Sequence, residues 1–296
     1  MKFEKMVVKS NQEEAIEDLT TEYPYVMHHA DLRDITIPWH WHEEVEFDYI
    51  VSGETEVLTT NGKYIFGKNQ AFFINSNVLC CMHKNPQAET AVMHSHLFHP
   101  VFLGGHFRSV FETKYIDPVL QNKSLDILEI RGNNEIQRRI LEKLRQASFL
   151  QKEGNVEFQT RNIFSDIWLL LLDEISALPK DSHGVNLQNQ DRMQSMLSYI
   201  HRNYAEKVTL EEIAASACVS TRECLRCFRS TIDKSPVEYL MDYRLETAKK
   251  LLRDTNMTIT EIGIHTGFSS NAYFGKVFRE RCGVTPMEYR KEKQQG

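Results

Sequence analysis

Two periods divide the chain. Between residues 34 and 110 short β-like runs recur: Glu44–Val51, Glu54–Thr59, Ala71–Ile74 and Ala91–Phe98. Alternation with a period of two marks strands that bury one face. Ser52-Gly53, Asn61-Gly62 and Asn75-Ser76-Asn77 punctuate the runs with turn-forming residues. The pattern predicts a small antiparallel barrel or sandwich. Further on, apolar positions recur at three and four instead. Residues 133–150 and 156–178 predict two helices parted at Gly154, the second striped by Phe158, Ile163, Ile167, Leu170, Leu171, Ile175 and Leu178. Residues 179–190, PKDSHGVNLQNQ, are polar and carry helix breakers, and predict an interdomain linker.

The last hundred residues repeat themselves. Thr209-Leu210-Glu211-Glu212-Ile213-Ala214 returns as Thr258-Ile259-Thr260-Glu261-Ile262-Gly263, and Ser235-Pro236-Val237-Glu238-Tyr239 as Thr285-Pro286-Met287-Glu288-Tyr289. Five helix starts carry Ser or Thr followed three residues later by Glu: Thr209/Glu212, Ser220/Glu223, Ser235/Glu238, Thr258/Glu261 and Thr285/Glu288. This spacing lets the hydroxyl cap the third amide while the carboxylate caps the first. Each copy therefore predicts a short helix, a tight turn, a second helix and a further helix beginning at Pro, and helix-turn-helix is a DNA-reading arrangement. Gly267 supplies the turn of the second copy, where the first has Cys218. Residues 236–253 predict a connecting helix of roughly 27 Å, close to the spacing of successive major-groove segments.

Composition changes this picture in one respect. A net charge of −6 over 296 residues looks wrong for a nucleic-acid partner. Residues 191–296, however, hold 17 Lys and Arg against 14 Asp and Glu, whereas residues 1–190 hold 18 against 27. The acidic excess belongs to the other domain. No apolar run is long enough to span a bilayer, and Met1–Lys5 lacks a signal core, so a cytoplasmic protein without a membrane partner is expected. The six cysteines form no secreted framework. Cys224 and Cys227 have CxxC spacing but no second pair, and read as reduced thiols rather than a zinc site.

Ile262-Gly263, Gly267-Phe268-Ser269-Ser270, Tyr273-Phe274, Phe278-Arg279, Gly283-Val284-Thr285-Pro286 and Glu288-Tyr289-Arg290 together closely resemble the signature of AraC/XylS-type regulators, over about residues 191–292. The resemblance implies an all-α seven-helix domain whose third and sixth helices read DNA. On the first of these, Ser220, Arg222 and Arg226 fall where DNA contacts are expected. On the second, Ser270, Asn271, Ala272, Tyr273 and Lys276 do. Arg and Lys can read guanine or hold phosphate, and Asn can pair with adenine. A solvated basic face is the competing reading of the arginines.

In the first domain, His40-Trp41-His42, then Glu46 and Gly53, has the spacing of the first cupin motif. The expected fold is thus α+β: a cupin-like antiparallel β-barrel over residues 1–130, a helical connector over 131–178, a linker over 179–190 and the DNA-binding domain over 191–296. His40, His42 and Glu46, two and four residues apart, would share one strand face. They could hold a metal, with Cys80 as a further ligand. They could instead line an effector pocket with Trp39 and Tyr49, or satisfy hydrogen bonds at a barrel mouth. AraC-type sensory domains commonly carry such a Pro-x-His-x-His start without needing a metal, so no cofactor is expected. The resemblance implies a transcription regulator and not an enzyme. Its expected mode is that of an activator controlled by a small molecule such as a carbohydrate, with double-stranded DNA, RNA polymerase and a second copy of the chain as partners. A metal-dependent cupin enzyme fused to a DNA-binding domain is the alternative.

Overall fold

The computed structural model describes residues 6, 8–9, 12–16, 19–33, 35–106, 108–122, 124–150, 154–178 and 187–294. The chain forms two compact units, Met1–Gln190 and Asp191–Gly296.

The first unit is built on antiparallel strands β1 (Tyr25–Asp31), β2 (Ile37–His40), β3 (Val45–Thr59), β4 (Gly62–Gly67), β5 (Ala71–Ile74), β6 (Cys80–Lys84), β7 (Ala91–Phe98) and β8 (Ile127–Ile130). One layer runs β1-β7-β3-β5-β8; β4 and β6 pair with the far half of β3, and β2 pairs with β6. The runs 44–51 and 54–59 are therefore one strand, not two. Gly53 lies within it at φ +72°, and a Cβ there would meet the Thr90 carbonyl oxygen at 1.8 Å. What resembles a turn signal is a bend that passes β3 from one layer to the other, with a register shift between Ile50 and Ser52. The cupin-like expectation holds in the antiparallel layers, although among the described residues the hydrogen bonding does not close into a ring.

Ile50, Val57, Phe66, Phe72, Met82 and Met93 fill the space between the layers. The opposite face of the β3 layer is covered by α3 (Glu135–Ser148) and α4 (Val156–Ala177). Two short helices, α1 (Val101–Gly104) and α2 (Asp117–Leu120), lie before β8 in the chain. Phe47, Phe73, Phe98, Phe164 and Trp168 form the aromatic centre of this second core; each buried ring contributes roughly 1.5–3 kcal/mol. Ile163, Ile167, Leu170 and Leu171 pack inward, so the predicted connector is part of the first unit, while Phe158 and Leu169 stay exposed. Of the predicted linker, residues 179–186 lie outside the described residues. Residues 187–190 begin α5 (Leu187–Asn203).

The second unit continues with α6 (Leu210–Ser216), α7 (Thr221–Ile232), α8 (Pro236–Asp254), α9 (Ile259–His265), α10 (Asn271–Cys282) and α11 (Pro286–Gln294), so α5–α11 are the seven expected helices. The duplication is visible in the packing. Phe228 meets Tyr239 edge-on at 5.9 Å, and their counterparts Phe278 and Tyr289 meet at 5.6 Å. Reciprocal caps form at Thr209/Glu212, Ser235/Glu238 and Thr258/Glu261, and the same pair of bonds joins Thr285 and Glu288.

His201 of α5 is buried, stacked on Tyr243 at 3.9 Å, with Nε2 2.8 Å from the Tyr239 hydroxyl. Burial lowers its pKa to about 3. The unfolded chain therefore takes up a proton near pH 6.5 that the folded unit refuses. Stability is complete above that pH and falls by about 1.4 kcal/mol per unit as the solution is acidified towards 3. Amide exchange in α5 and α8 between pH 6.5 and 5 should show this acid slope in the parent and a flatter one in His201→Gln; equal slopes would refute the assignment.

Candidate DNA-reading and effector sites

On α7, Ser220 is the N-cap and accepts the Glu223 amide at 3.2 Å. The reciprocal half of this cap is missing from the hydrogen bonds of Glu223. Its carboxylate instead accepts Arg226 Nη2 at 2.6 Å and Nε at 2.9 Å, and Arg192 of α5 at 3.0 Å. The two guanidinium groups hold the Glu223 carboxyl below its usual range, the Arg226 hydrogen bond contributing most. Arg222, Leu225, Arg226 and Arg229 are exposed, while Cys224, Cys227 and Phe228 are buried against the unit. The structure thus turns Arg222 and Arg226 outward together and places an anion beside Arg226. Cys224 and Cys227 are free, buried thiols pushed up by burial.

On α10, Ser270 is the N-cap and accepts the Tyr273 amide at 3.2 Å. Asn271, Ala272, Tyr273 and Lys276 are exposed along one side; Phe274, Val277 and Phe278 face the core. Asn271 Nδ2 donates to Thr260 Oγ1 on α9, fixing its amide at the junction of the two helices. Lys276 lies 3.9 Å from Glu280, with both side chains largely exposed. The α9–α10 turn depends on Gly267, at φ +78°, where a Cβ would stand 2.5 Å from the Tyr204 carbonyl oxygen. Cys218, its counterpart, also has positive φ, at 54°.

In the first unit, His40 closes β2, Trp41 makes an isolated parallel bridge with Glu13, and Glu46 lies on β3. The three predicted residues do not share a strand, yet they converge. His42 Nε2 stands 3.3 Å from Glu46 Oε2, and His40 Nε2 lies 3.9 Å from Cys80 Sγ. His40 Nδ1 donates to the Pro38 carbonyl at 2.8 Å and His42 Nδ1 to the Glu44 carbonyl at 3.0 Å. A carbonyl can only accept, so both imidazoles carry their proton on Nδ1 when neutral and present a lone pair at Nε2. Burial lowers the His40 pKa to about 3.

Glu14 joins this group unannounced by the sequence. It is 7% exposed, its amide donates to the Trp41 carbonyl at 2.8 Å, and its Oε2 lies 3.8 Å from His40 Nε2. Burial raises its carboxyl to about 7. Burial likewise raises Glu46 and Asp48 on the same face of β3, Asp48 accepting from Ser95 Oγ. Glu14, His28, His40, Glu46, Ser95 and Leu97 are among the residues around a cavity of about 10 Å³. That is the space of one water or one bare ion, and far less than a sugar needs.

Tyr49 departs from expectation. Odd-numbered Val45, Phe47 and Tyr49 face the helices, while Glu46 and Asp48 face the other way. Tyr49 sits in the aromatic core with its hydroxyl donating to Asn69 at 2.9 Å, away from the histidines. Trp39 is buried, and no described contact joins it to Glu14, His42 or Glu46.

Residues 23–157 match the family described as the AraC-like ligand binding domain, and residues 213–292 match a helix-turn-helix domain family. The uncharacterized HTH-type transcriptional regulator YdeC of Bacillus subtilis is 27% identical over 290 residues, covering 96% of this chain and 98% of its own length. The transcriptional activator RhaS of Escherichia coli O157:H7 is 27% identical over 154 residues, 51% of this chain and 54% of its own. A solved AraC-type transcriptional regulator from Chromobacterium violaceum is 31% identical, covers 37% of this chain and 98% of its own, and superposes with a TM-score of 0.35.

Proposed function

This chain belongs to the AraC-type DNA-binding transcription regulators, and from that premise we propose that it is an activator whose occupancy of DNA is controlled by a small effector held in its first unit. One observation supports the reading more than any other: two copies of the same helix-turn-helix, α6–α7 and α9–α10, each present polar and basic side chains on the exposed side of the second helix. The side chains differ between copies. Ser220, Arg222 and Arg226 offer guanidinium forks suited to guanine, and Ser270, Asn271, Tyr273 and Lys276 offer an amide, a hydroxyl and an ammonium. A bipartite, asymmetric site on double-stranded DNA follows. The known relatives are transcription regulators, and neither matching family is a catalytic one. Among the described residues no helix is long and apolar enough to cross a membrane.

RNA polymerase is the partner an activator requires. A second copy of the chain is a natural partner for the exposed Phe158 and Leu169 of α4. An effector binding only the folded first unit raises its unfolding temperature, so a thermal-shift screen of sugars, metabolites and metal ions should yield at least one stabilising compound. A screen in which none stabilises would leave the DNA reading standing and remove the effector.

The DNA reading is tested by titrating the full chain onto its own promoter region at several salt concentrations. Affinity should fall steeply and log-linearly with salt, each phosphate contact contributing about −0.9 to the slope. Salt-insensitive binding would overturn the proposal.

A further inference from the structure

We propose that Glu14, His40 and His42 bind one divalent first-row transition-metal ion, so that a residue of the N-terminal segment and two from the edge of the β-layers share a single ligand. One ligand atom from each lies within 4.8 Å of the others. Two ligands at about 2.1 Å from a common ion stand at most about 4.2 Å apart, so little closure is needed.

Three features single out this cluster from an ordinary buried network. First, both imidazoles are locked in the tautomer a metal needs. Each spends its Nδ1 proton on a backbone carbonyl, Pro38 or Glu44, and directs an Nε2 lone pair inward. This is the outer-shell arrangement that orients metal-bound histidine. Second, Glu14 is more than nine-tenths buried, and its Oε2 has no hydrogen-bond partner although it points at the cavity. A buried carboxylate oxygen without a donor is costly, and here its neighbours are further acceptors: the His40 lone pair at 3.8 Å, and beyond it Glu46, 3.3 Å from His42 Nε2. A carboxyl proton can bridge His42 and Glu46 at 3.3 Å, but Glu14 Oε2, 3.8 Å from His40 Nε2, is beyond hydrogen-bond reach and gains a partner only from a cation between them. Third, the cavity has room for an ion and not for an organic molecule. Two imidazoles and a carboxylate favour the ions from Mn²⁺ to Zn²⁺ over Ca²⁺ or Mg²⁺, which prefer all-oxygen shells. Glu46 is the nearest further oxygen.

This set differs from the one expected from sequence. The carboxylate comes from Glu14, twenty-six residues before His40, and Cys80 is not required. The amide of Glu14 is already tied to the Trp41 carbonyl, and the Trp41 amide to the Gln12 carbonyl. The ion would therefore fasten residues 12–14 alongside the segment from His40 to His42.

The test uses the full chain, stripped with chelator and dialysed against Zn²⁺ or Co²⁺ without DNA, so failure here leaves the regulatory reading untouched. The expected result is one ion per chain held at micromolar concentration or below. Visible Co²⁺ absorption should appear on binding, and Glu14→Gln should weaken affinity by at least about tenfold. His83→Gln, at the separate His83–Glu56 pair, should bind like the parent. A parent that retains no ion and shows no Co²⁺ band overturns the proposal whether or not the variants fold. So does Glu14→Gln binding at parental affinity, or loss of the ion in His83→Gln.

Discussion

Arg226→Ala is expected to weaken binding to the specific DNA site by roughly ten- to a hundredfold, and Lys276→Ala by a similar factor, with the fold intact in both. The two side chains start from different situations. Lys276 is loosely attended by Glu280 at 3.9 Å and meets DNA nearly free. Arg226 is clasped by Glu223 through two hydrogen bonds, and Glu223 is shared with Arg192. Exposed ion pairs within one helix are weak, so the guanidinium can leave Glu223 for a guanine edge or a phosphate at small cost. Until it leaves, the clasp limits its rotamers. Competition binding against operators with single base changes separates the roles. Loss of discrimination at one base marks a reading residue; uniform weakening with a salt slope reduced by about one marks a phosphate contact. If both variants bind the specific site like the parent, α7 and α10 are not the reading helices.

Gly267→Ala is expected to lower the stability of the helical unit by roughly 2–4 kcal/mol and to abolish reading by α10. Two costs combine. The residue sits at φ +78°, where a side chain is strained, and a Cβ would press on the Tyr204 carbonyl oxygen at 2.5 Å and the Ala205 carbonyl oxygen at 3.0 Å. Both obstacles are backbone at the end of α5, so they cannot yield by a rotamer change. The counterpart Cys218 already bears the conformational cost at φ 54°, and Cys218→Gly should stabilise by up to about 1 kcal/mol. Denaturant unfolding of the two variants beside the parent measures both effects. Parental stability in Gly267→Ala would contradict the close approach.

The helical unit was legible because its signals are local. Ser or Thr three residues before Glu fixes a helix start within one turn of chain, and the repeat supplies each start twice. The N-cap Ser220 follows from that alone, whereas Ser270, with Tyr273 three residues on, follows only from its place in the repeat. The diversion of Glu223 from its cap was not legible, since Arg192 lies thirty-one residues away and only folding brings it near. The β-layers were less readable. Gly53 reads as a turn because turns and bends both exploit glycine, and the Thr90 carbonyl that requires it belongs to another loop. β6 is buried for most of its length and shows no alternation. Tyr49 could have been excluded from the effector site by parity, since odd and even residues of a strand face opposite ways. Glu14 could not have been found, because it stands in a stretch without period and acquires its neighbours through pairing with Trp41.

One helix serves both cores of the reading domain. α8 lends Tyr239 to the packing around Phe228, and Leu245, Ala248 and Leu252 to the packing around Phe274 and Phe278. Adding a single residue between Leu240 and Leu245 would swing one half about the helix axis by about 100° relative to the other. If α7 and α10 each read one DNA word, as proposed, the distance and phase between the two words are written into the length of α8. Substitutions on α7 and α10 would then rewrite either word, while the gap between the words would change only with insertions or deletions in α8, each residue shifting it by about 1.5 Å and about 100°.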